Sequence, residues 1–341
     1  MNILGTSVPI GSFADCNQIA QVGCQDGSLP LWIIPYLPES CPFVLAQKYN
    51  QGGNNGNMYA QNVPQQQPIQ PTPPQSEKKK PSSDVDVNLP LNAVTNDKTF
   101  AVIFANEKYQ EEVAVEYAEN DGDMFKEYCH KVLGLPEDNI HLRKNATKNN
   151  MVAELSWMKK VADAYNGQAK FIVFYAAHGI PDEQTKSAYL LPVDGIGTEP
   201  ETAYSLAKFY QTLGALPAEN VTVFMDACFS GSRRGKGMLA IVRGVAIKAK
   251  AQTPQGKMVV FSAAQGDETA YPLKDKEHGL FTYYLLKKLK ETKGNVTYGE
   301  LGTYLQTEVK RKSIVANSKS QTPTVTPSPN VAASWKTMKL K

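Results

Sequence analysis

Cysteine is scarce in this chain of 341 residues: five occur, at Cys16, Cys24, Cys41, Cys129 and Cys228, and no two form a Cys-x-x-Cys pair. That scatter argues against a structural zinc site or a disulfide framework. Excess charge is also lacking, with a formal net charge of +3, so composition gives no reason to expect nucleic acid or a membrane surface as partner. No uninterrupted apolar run approaches the roughly 20 residues that span a bilayer, and the stretch Leu29 to Leu37 is broken by Pro30 and Pro35. The opening Met-Asn-Ile-Leu-Gly has neither the basic region nor the apolar run of a secretory signal. A soluble chain is expected, leaning to the cytoplasm without fixing the compartment.

What is present divides unevenly. Residues 1–49 contain Trp32, Ile33, Ile34, Tyr36, Phe43 and Val44, enough to dock as an arm or pro-segment but too little for a core of their own. Residues 50–97 read as a flexible linker, because Gln, Asn, Pro, Gly and Ser dominate there and bury little apolar surface to offset ordering entropy. From Lys98 onward, apolar strands alternate with amphipathic helices. Strands are expected at Thr99 to Ala105, Asn139 to Leu142, Phe171 to Ala177, Val221 to Met225 and Met258 to Ala263; helices at Asp121 to Leu133, Asn150 to Tyr165, Ala203 to Leu213, Gly279 to Lys290 and Tyr298 to Lys312. Such alternation predicts a mainly parallel sheet with helices on both faces.

Two of those strands end in reactive side chains. Phe171-Ile-Val-Phe-Tyr-Ala-Ala stops at His178-Gly179, and Val221-Thr-Val-Phe-Met stops at Asp226-Ala-Cys228. Parallel neighbours lie about 4.8 Å apart, and catalytic groups in such sheets gather beyond the carboxyl ends. Adjacent placement of these strands would deliver an imidazole and a thiol to one crevice, the minimum for a cysteine nucleophile served by a base.

His178 precedes Cys228 by fifty residues, the separation characteristic of caspases and their Gln-Ala-Cys-x-Gly element. Here the element is Asp226-Ala227-Cys228-Phe229-Ser230-Gly231. Tyr175-Ala-Ala-His178-Gly179, Tyr189-Leu-Leu-Pro-Val-Asp194, Phe261-Ser-Ala-Ala-Gln-Gly-Asp-Glu-Thr-Ala270 and His278-Gly-Leu-Phe-Thr-Tyr-Tyr-Leu-Leu286 follow the same order. From Lys98 the chain thus resembles the caspase-like cysteine peptidases, most closely their metacaspase, paracaspase and bacterial branch.

The resemblance implies an α/β fold, a three-layer α/β/α sandwich about a mainly parallel sheet of about six strands. It further implies a peptidase domain over 98–341, with a large-subunit part to about 232, a basic linker of about 232–257 and a small-subunit part from about 258. Cys228 would attack the scissile carbonyl and His178 would protonate the leaving amine. The N–H groups of Gly179 and Cys228 would form an oxyanion hole. Asp226 stands where aspartate-specific caspases carry Gln; a carboxylate largely removed from water calls for a cation, so the residue before the cut should be Arg or Lys. Asp121 matches the family's acidic residue ahead of the first helix and reads either as a second pocket carboxylate or as an ordinary helix N-cap. Ala176 stands where metacaspases often have Ser. The basic residues Arg233, Arg234, Lys236, Arg243, Lys248, Lys250 and Lys257 are candidate self-processing sites, or simply a solvated basic loop. No cofactor is expected to be required. Calcium activation has little support, because Asp182, Glu183 and Asp194 are few for an all-oxygen site. Protein or peptide substrates and a monomer are expected.

Two other readings remain open at this stage. Cys228-Phe-Ser-Gly231-Ser-Arg-Arg234 also fits the Cys-x-x-Gly-x-x-Arg phosphate cradle of cysteine-dependent phosphatases, although Asp226 would repel a phosphate dianion and raise the thiol's pKa. A non-catalytic caspase-like scaffold working through the Gln/Pro-rich segment is the second. His130, His141 and His278 read as structural.

Overall fold

A computed structural model describes residues 2–3, 6–7, 83–229, 249–266 and 268–341. The chain divides into two compact units, Met1–Ser76 and Glu77–Lys341. In the first, Asn2–Ile3 pairs antiparallel with Thr6–Ser7.

The second unit is built on a six-stranded sheet. Its strands are β1 (Thr99–Ala105), β2 (Ile140–Lys144), β3 (Lys170–Ala176), β7 (Asn220–Asp226), β8 (Met258–Ser262) and β11 (Thr324–Pro327). Three short strands, β4 (Gly179–Pro181), β5 (Ala188–Leu190) and β6 (Tyr204–Ser205), form a separate antiparallel flap. Pro272–Leu273 (β9) pairs with His278–Gly279 (β10). The main sheet runs in the order β11-β8-β7-β3-β1-β2, parallel throughout except for the edge strand β11.

Side chains alternate across this sheet, and each set meets its own helices. Ala101, Ile103, Ile172, Phe174, Phe224, Val259 and Phe261 share one core with α1 (Ala118–Glu127), α4 (Leu280–Glu291) and α5 (Tyr298–Asn317). Phe100, Val102, Phe171, Val173, Tyr175, Val221, Val223 and Val260 share the other with α2 (Lys148–Ala164) and α3 (Leu206–Gly214). The result is a three-layer α/β/α sandwich. Burial on both faces explains why the central strands are continuous apolar runs instead of alternating ones. On the first face Phe125 stacks on Phe174 at 4.4 Å and Phe224 on Phe261 at 5.1 Å, while Tyr298 meets Phe261 edge-on at 5.5 Å.

Helix boundaries differ from the periodicity reading where caps intervene. The third helix begins at Leu206 rather than Ala203, because the Ser205 hydroxyl accepts the Lys208 N–H and Tyr204–Ser205 is drawn into the flap. The first begins at Ala118, three residues before Asp121, and its end widens into a π-turn over Tyr128–Val132. Residues 83–97, assigned above to the linker by composition, pack against the sandwich: Val85 is fully buried and the Tyr128 hydroxyl donates to its carbonyl.

Candidate active site

Strands β3 and β7 are neighbours in parallel register, with Ala176 opposite Asp226 and the Ala177 N–H 3.4 Å from the Asp226 carbonyl. Two residues past that matched pair stand His178 on one strand and Cys228 on the other. Both therefore leave the sheet at the same rim, 2 % and 6 % exposed. Gly179 tightens the arrangement. A Cβ there would lie 2.8 Å from the Cys228 carbonyl oxygen and 2.5 Å from the Phe229 ring, so only glycine lets the two segments approach this closely.

The main chain of His178 and its ring are each held in place. The His178 N–H donates to the Tyr109 hydroxyl at 2.9 Å, and its carbonyl accepts from the Tyr175 hydroxyl at 2.8 Å and the Leu191 N–H at 3.1 Å. Burial pushes the Tyr175 phenol well up, which keeps it a neutral donor. The Tyr109 ring lies 4.9 Å from the imidazole, and His178 Nε2 is 2.8 Å from the Val113 carbonyl oxygen. A carbonyl can only accept, so Nε2 carries the hydrogen, and in the neutral ring Nδ1 holds the lone pair. The Val113 carbonyl thereby orients the ring through Nε2.

Both acidic residues singled out above converge on the first turn of α4. Asp226 is 1 % exposed; its Oδ2 accepts from the Thr282 hydroxyl at 2.7 Å and the Thr282 N–H at 3.3 Å. Asp121, fully buried, accepts the Gly279 N–H at 3.1 Å. The N-cap of α4 is Gly279, which has no side chain to cap with, so carboxylates from other elements take that role and gain from the helix dipole. Asp121 is thus not the N-cap of its own helix, a position held by Tyr117 in the left-handed region at φ 70°. Donors of the helix start thus hold the Asp226 carboxyl from within the fold. Ala176 is fully buried between Ala105 and Asp226 in the sheet and offers a methyl group only.

Arg233, Arg234, Lys236, Arg243 and Lys248 lie outside the described residues. Lys250 is exposed, its N–H donating to the Lys186 carbonyl at 2.7 Å. Lys257 accepts the Val221 N–H at 2.9 Å directly ahead of β8, whose first residue Met258 is fully buried. Cutting after Lys257 would require pulling a core strand from the sheet, which removes it from the processing candidates. Asp182 caps its own loop by accepting the Gln184 and Thr185 N–H groups, and Asp194 accepts the Lys148 N–H at the start of α2. Among the described residues no group of three or more His, Cys, Asp or Glu is arranged to hold a metal ion, and no helix is long and apolar enough to cross a membrane.

Of the histidines first read as structural, His141 stacks on Trp157 at 3.8 Å and His130 bonds the Leu135 carbonyl. His141 also pairs with Glu154 at 2.6 Å, but His278 differs in meeting a carboxylate at each ring nitrogen, one of them Asp121 at 2.8 Å. Sequence gave no sign of this contact, because its other partner, Asp86, falls in the stretch that composition assigns to the linker.

Comparison with known proteins identifies a family. A family model described as the caspase domain matches residues 98–332. A search of curated proteins finds no match. Among solved structures, the crystal structure of caspase-1 from Spodoptera frugiperda is similar at 15 % identity and a TM-score of 0.47, covering 71 % of this chain and 90 % of that one. The caspase-domain match extends over more than half of the sequence, and the chain belongs to the caspase family of cysteine peptidases.

Proposed function

We propose that this protein is an endopeptidase that cuts after Arg or Lys, with Cys228 as nucleophile and His178 as acid and base. Cys228 Sγ attacks the scissile carbonyl while its proton passes to His178 Nδ1; His178 returns that proton to the departing amine, leaving a thioester that water hydrolyses. The backbone N–H groups of Gly179 and Cys228 receive the developing oxyanion. Asp226 and Asp121 give the pocket its negative charge. The observation that carries this reading is the register of β3 against β7, which brings His178 and Cys228 to one rim. Support for basic specificity comes from the pair of carboxylates gathered at the start of α4. Substrates are proteins or peptides with a basic residue at the cut, the protein acts as a monomer, and self-processing falls in the basic stretch from Arg233 to Lys250.

The test is a panel of fluorogenic peptides that differ only in the residue before the cut, run with and without calcium. Arg and Lys substrates should be turned over and Asp substrates left intact. Cys228→Ala and His178→Ala should each abolish turnover. Cleavage after Asp would overturn the specificity, and an active His178→Ala enzyme would overturn the assigned base.

A further inference from the structure

His278 is fully buried, and each ring nitrogen meets a carboxylate: Nδ1 lies 2.8 Å from Asp121 Oδ1 and Nε2 lies 2.8 Å from Asp86 Oδ1. With an acceptor on either side, both nitrogens donate, which requires the imidazolium. Burial by itself would lower the pKa, but the hydrogen bonds and charges of Asp121 and Asp86 outweigh it and raise it to about 9. Asp121 is also the acceptor for the Gly279 N–H, one residue along the chain. The charged and titratable groups around this cluster are Asp121 on α1, Asp84 and Asp86 on the strap, Lys276 and Glu277 in the turn before β10, Tyr128 after α1, and Tyr283 on α4.

Asp86 belongs to a strap, residues 83–89, held at several points. Lys276 pairs with Asp84 at 2.8 Å, the Tyr283 hydroxyl donates to the same carboxylate at 3.1 Å, and Lys290 reaches the carbonyls of Asp84 and Val87. His278 thus joins two things that are distant in sequence: a carboxylate of the candidate pocket and the segment just after the Gln/Pro-rich stretch.

We propose that His278 is the positioning residue of the specificity pocket, holding the Asp121 carboxylate at the start of α4 and making that placement depend on Asp86 of the docked strap. This rests on the reading of Asp121 and Asp226 as the pocket for a basic side chain. His278 touches no reacting atom; it acts through Asp121.

The test compares peptides carrying Arg or its neutral isostere citrulline before the cut. A Gln amide nitrogen overlays imidazole Nε2 and an Asn amide nitrogen overlays Nδ1, so His278→Gln keeps the Asp86 side and His278→Asn keeps the Asp121 side. His278→Gln should raise KM for the Arg peptide about tenfold with kcat within about twofold, and should lower the preference for Arg over citrulline. In His278→Asn most of that preference should return. Asp86→Asn, near the surface, should raise KM about threefold in the same selective way. A lesion of stability alone would lower the melting temperature and leave the Arg-to-citrulline ratio unchanged, which overturns the inference. Should the His278 variants fail to fold, Asp86→Asn decides by the same ratio. A wild-type enzyme without preference for basic residues would overturn the pocket reading and this inference together; a wild type that prefers Arg while His278→Gln and Asp86→Asn keep its ratio overturns the inference alone.

Discussion

A methyl group on Gly179 would meet two ring carbons of Phe229 at 2.5 Å and the Cys228 carbonyl oxygen at 2.8 Å. Part of that obstacle is backbone and cannot swing away. Gly179→Ala should therefore shift His178 relative to Cys228, and displacements of about 1 Å at such sites lower rates on the order of 100-fold. Measured kcat/KM should fall by about that factor while far-ultraviolet circular dichroism stays native. A variant with wild-type kcat/KM would show that the close approach is not needed for catalysis. The sequence reading singled out Gly179 as an oxyanion-hole donor. It did not foresee Val113, whose carbonyl orients the ring through Nε2, because a backbone acceptor leaves no mark in residue type. Tyr109, which accepts the His178 N–H, was equally unmarked.

At the scale of elements, the start of α4 does two jobs. Its N–H groups need acceptors that Gly279 cannot supply from a side chain, and Asp226 and Asp121 provide them from β7 and α1. Thr282→Val keeps the shape of the side chain and deletes the hydroxyl that donates to Asp226. Loss of a buried hydrogen bond to a charged acceptor costs about 1–3 kcal/mol, which for a domain of this size lowers Tm by roughly 2–4 °C per kcal/mol. Thermal denaturation should show that fall; no change in Tm would mean that the carboxylate finds equal compensation elsewhere. The central strands were legible from their apolar runs, since burial on both faces writes itself into composition. The flap of β4, β5 and β6 and the edge strand β11 were not, because strands of two to four residues carrying Pro181 or Pro327 lack a readable period.

On the scale of the whole peptidase unit, the strap of residues 83–89 is part of the folded body. A chain beginning at Lys98, where the caspase-domain match begins, would lose the buried Val85 and Asp86's contact with His278. A protein spanning 98–341 should melt at least about 5 °C below one spanning 83–341, from roughly 2–3 kcal/mol of lost burial and hydrogen bonding. Equal melting temperatures would show the strap to be dispensable. Stability should also fall in mild alkali. His278 has a folded pKa of about 9, above its ordinary value of 6.5. Its contribution is thus complete below about pH 6.5 and is lost as pH rises through 9. Tm of the wild type should decline over that window and His278→Gln should remove most of the decline; identical profiles would contradict a charged His278.

Residue order alone determined the alternation of strands and helices, the parallel core, the strand-terminal His178 and Cys228 and the family resemblance, because each of these is local or periodic. Tertiary structure decided what brings distant segments together: Asp121 and Asp226 at one helix start, Val113 and Tyr109 around His178, and Asp86 against His278. Those contacts join residues 56 to 192 positions apart in sequence, or depend on backbone atoms, and no local pattern of side chains encodes either.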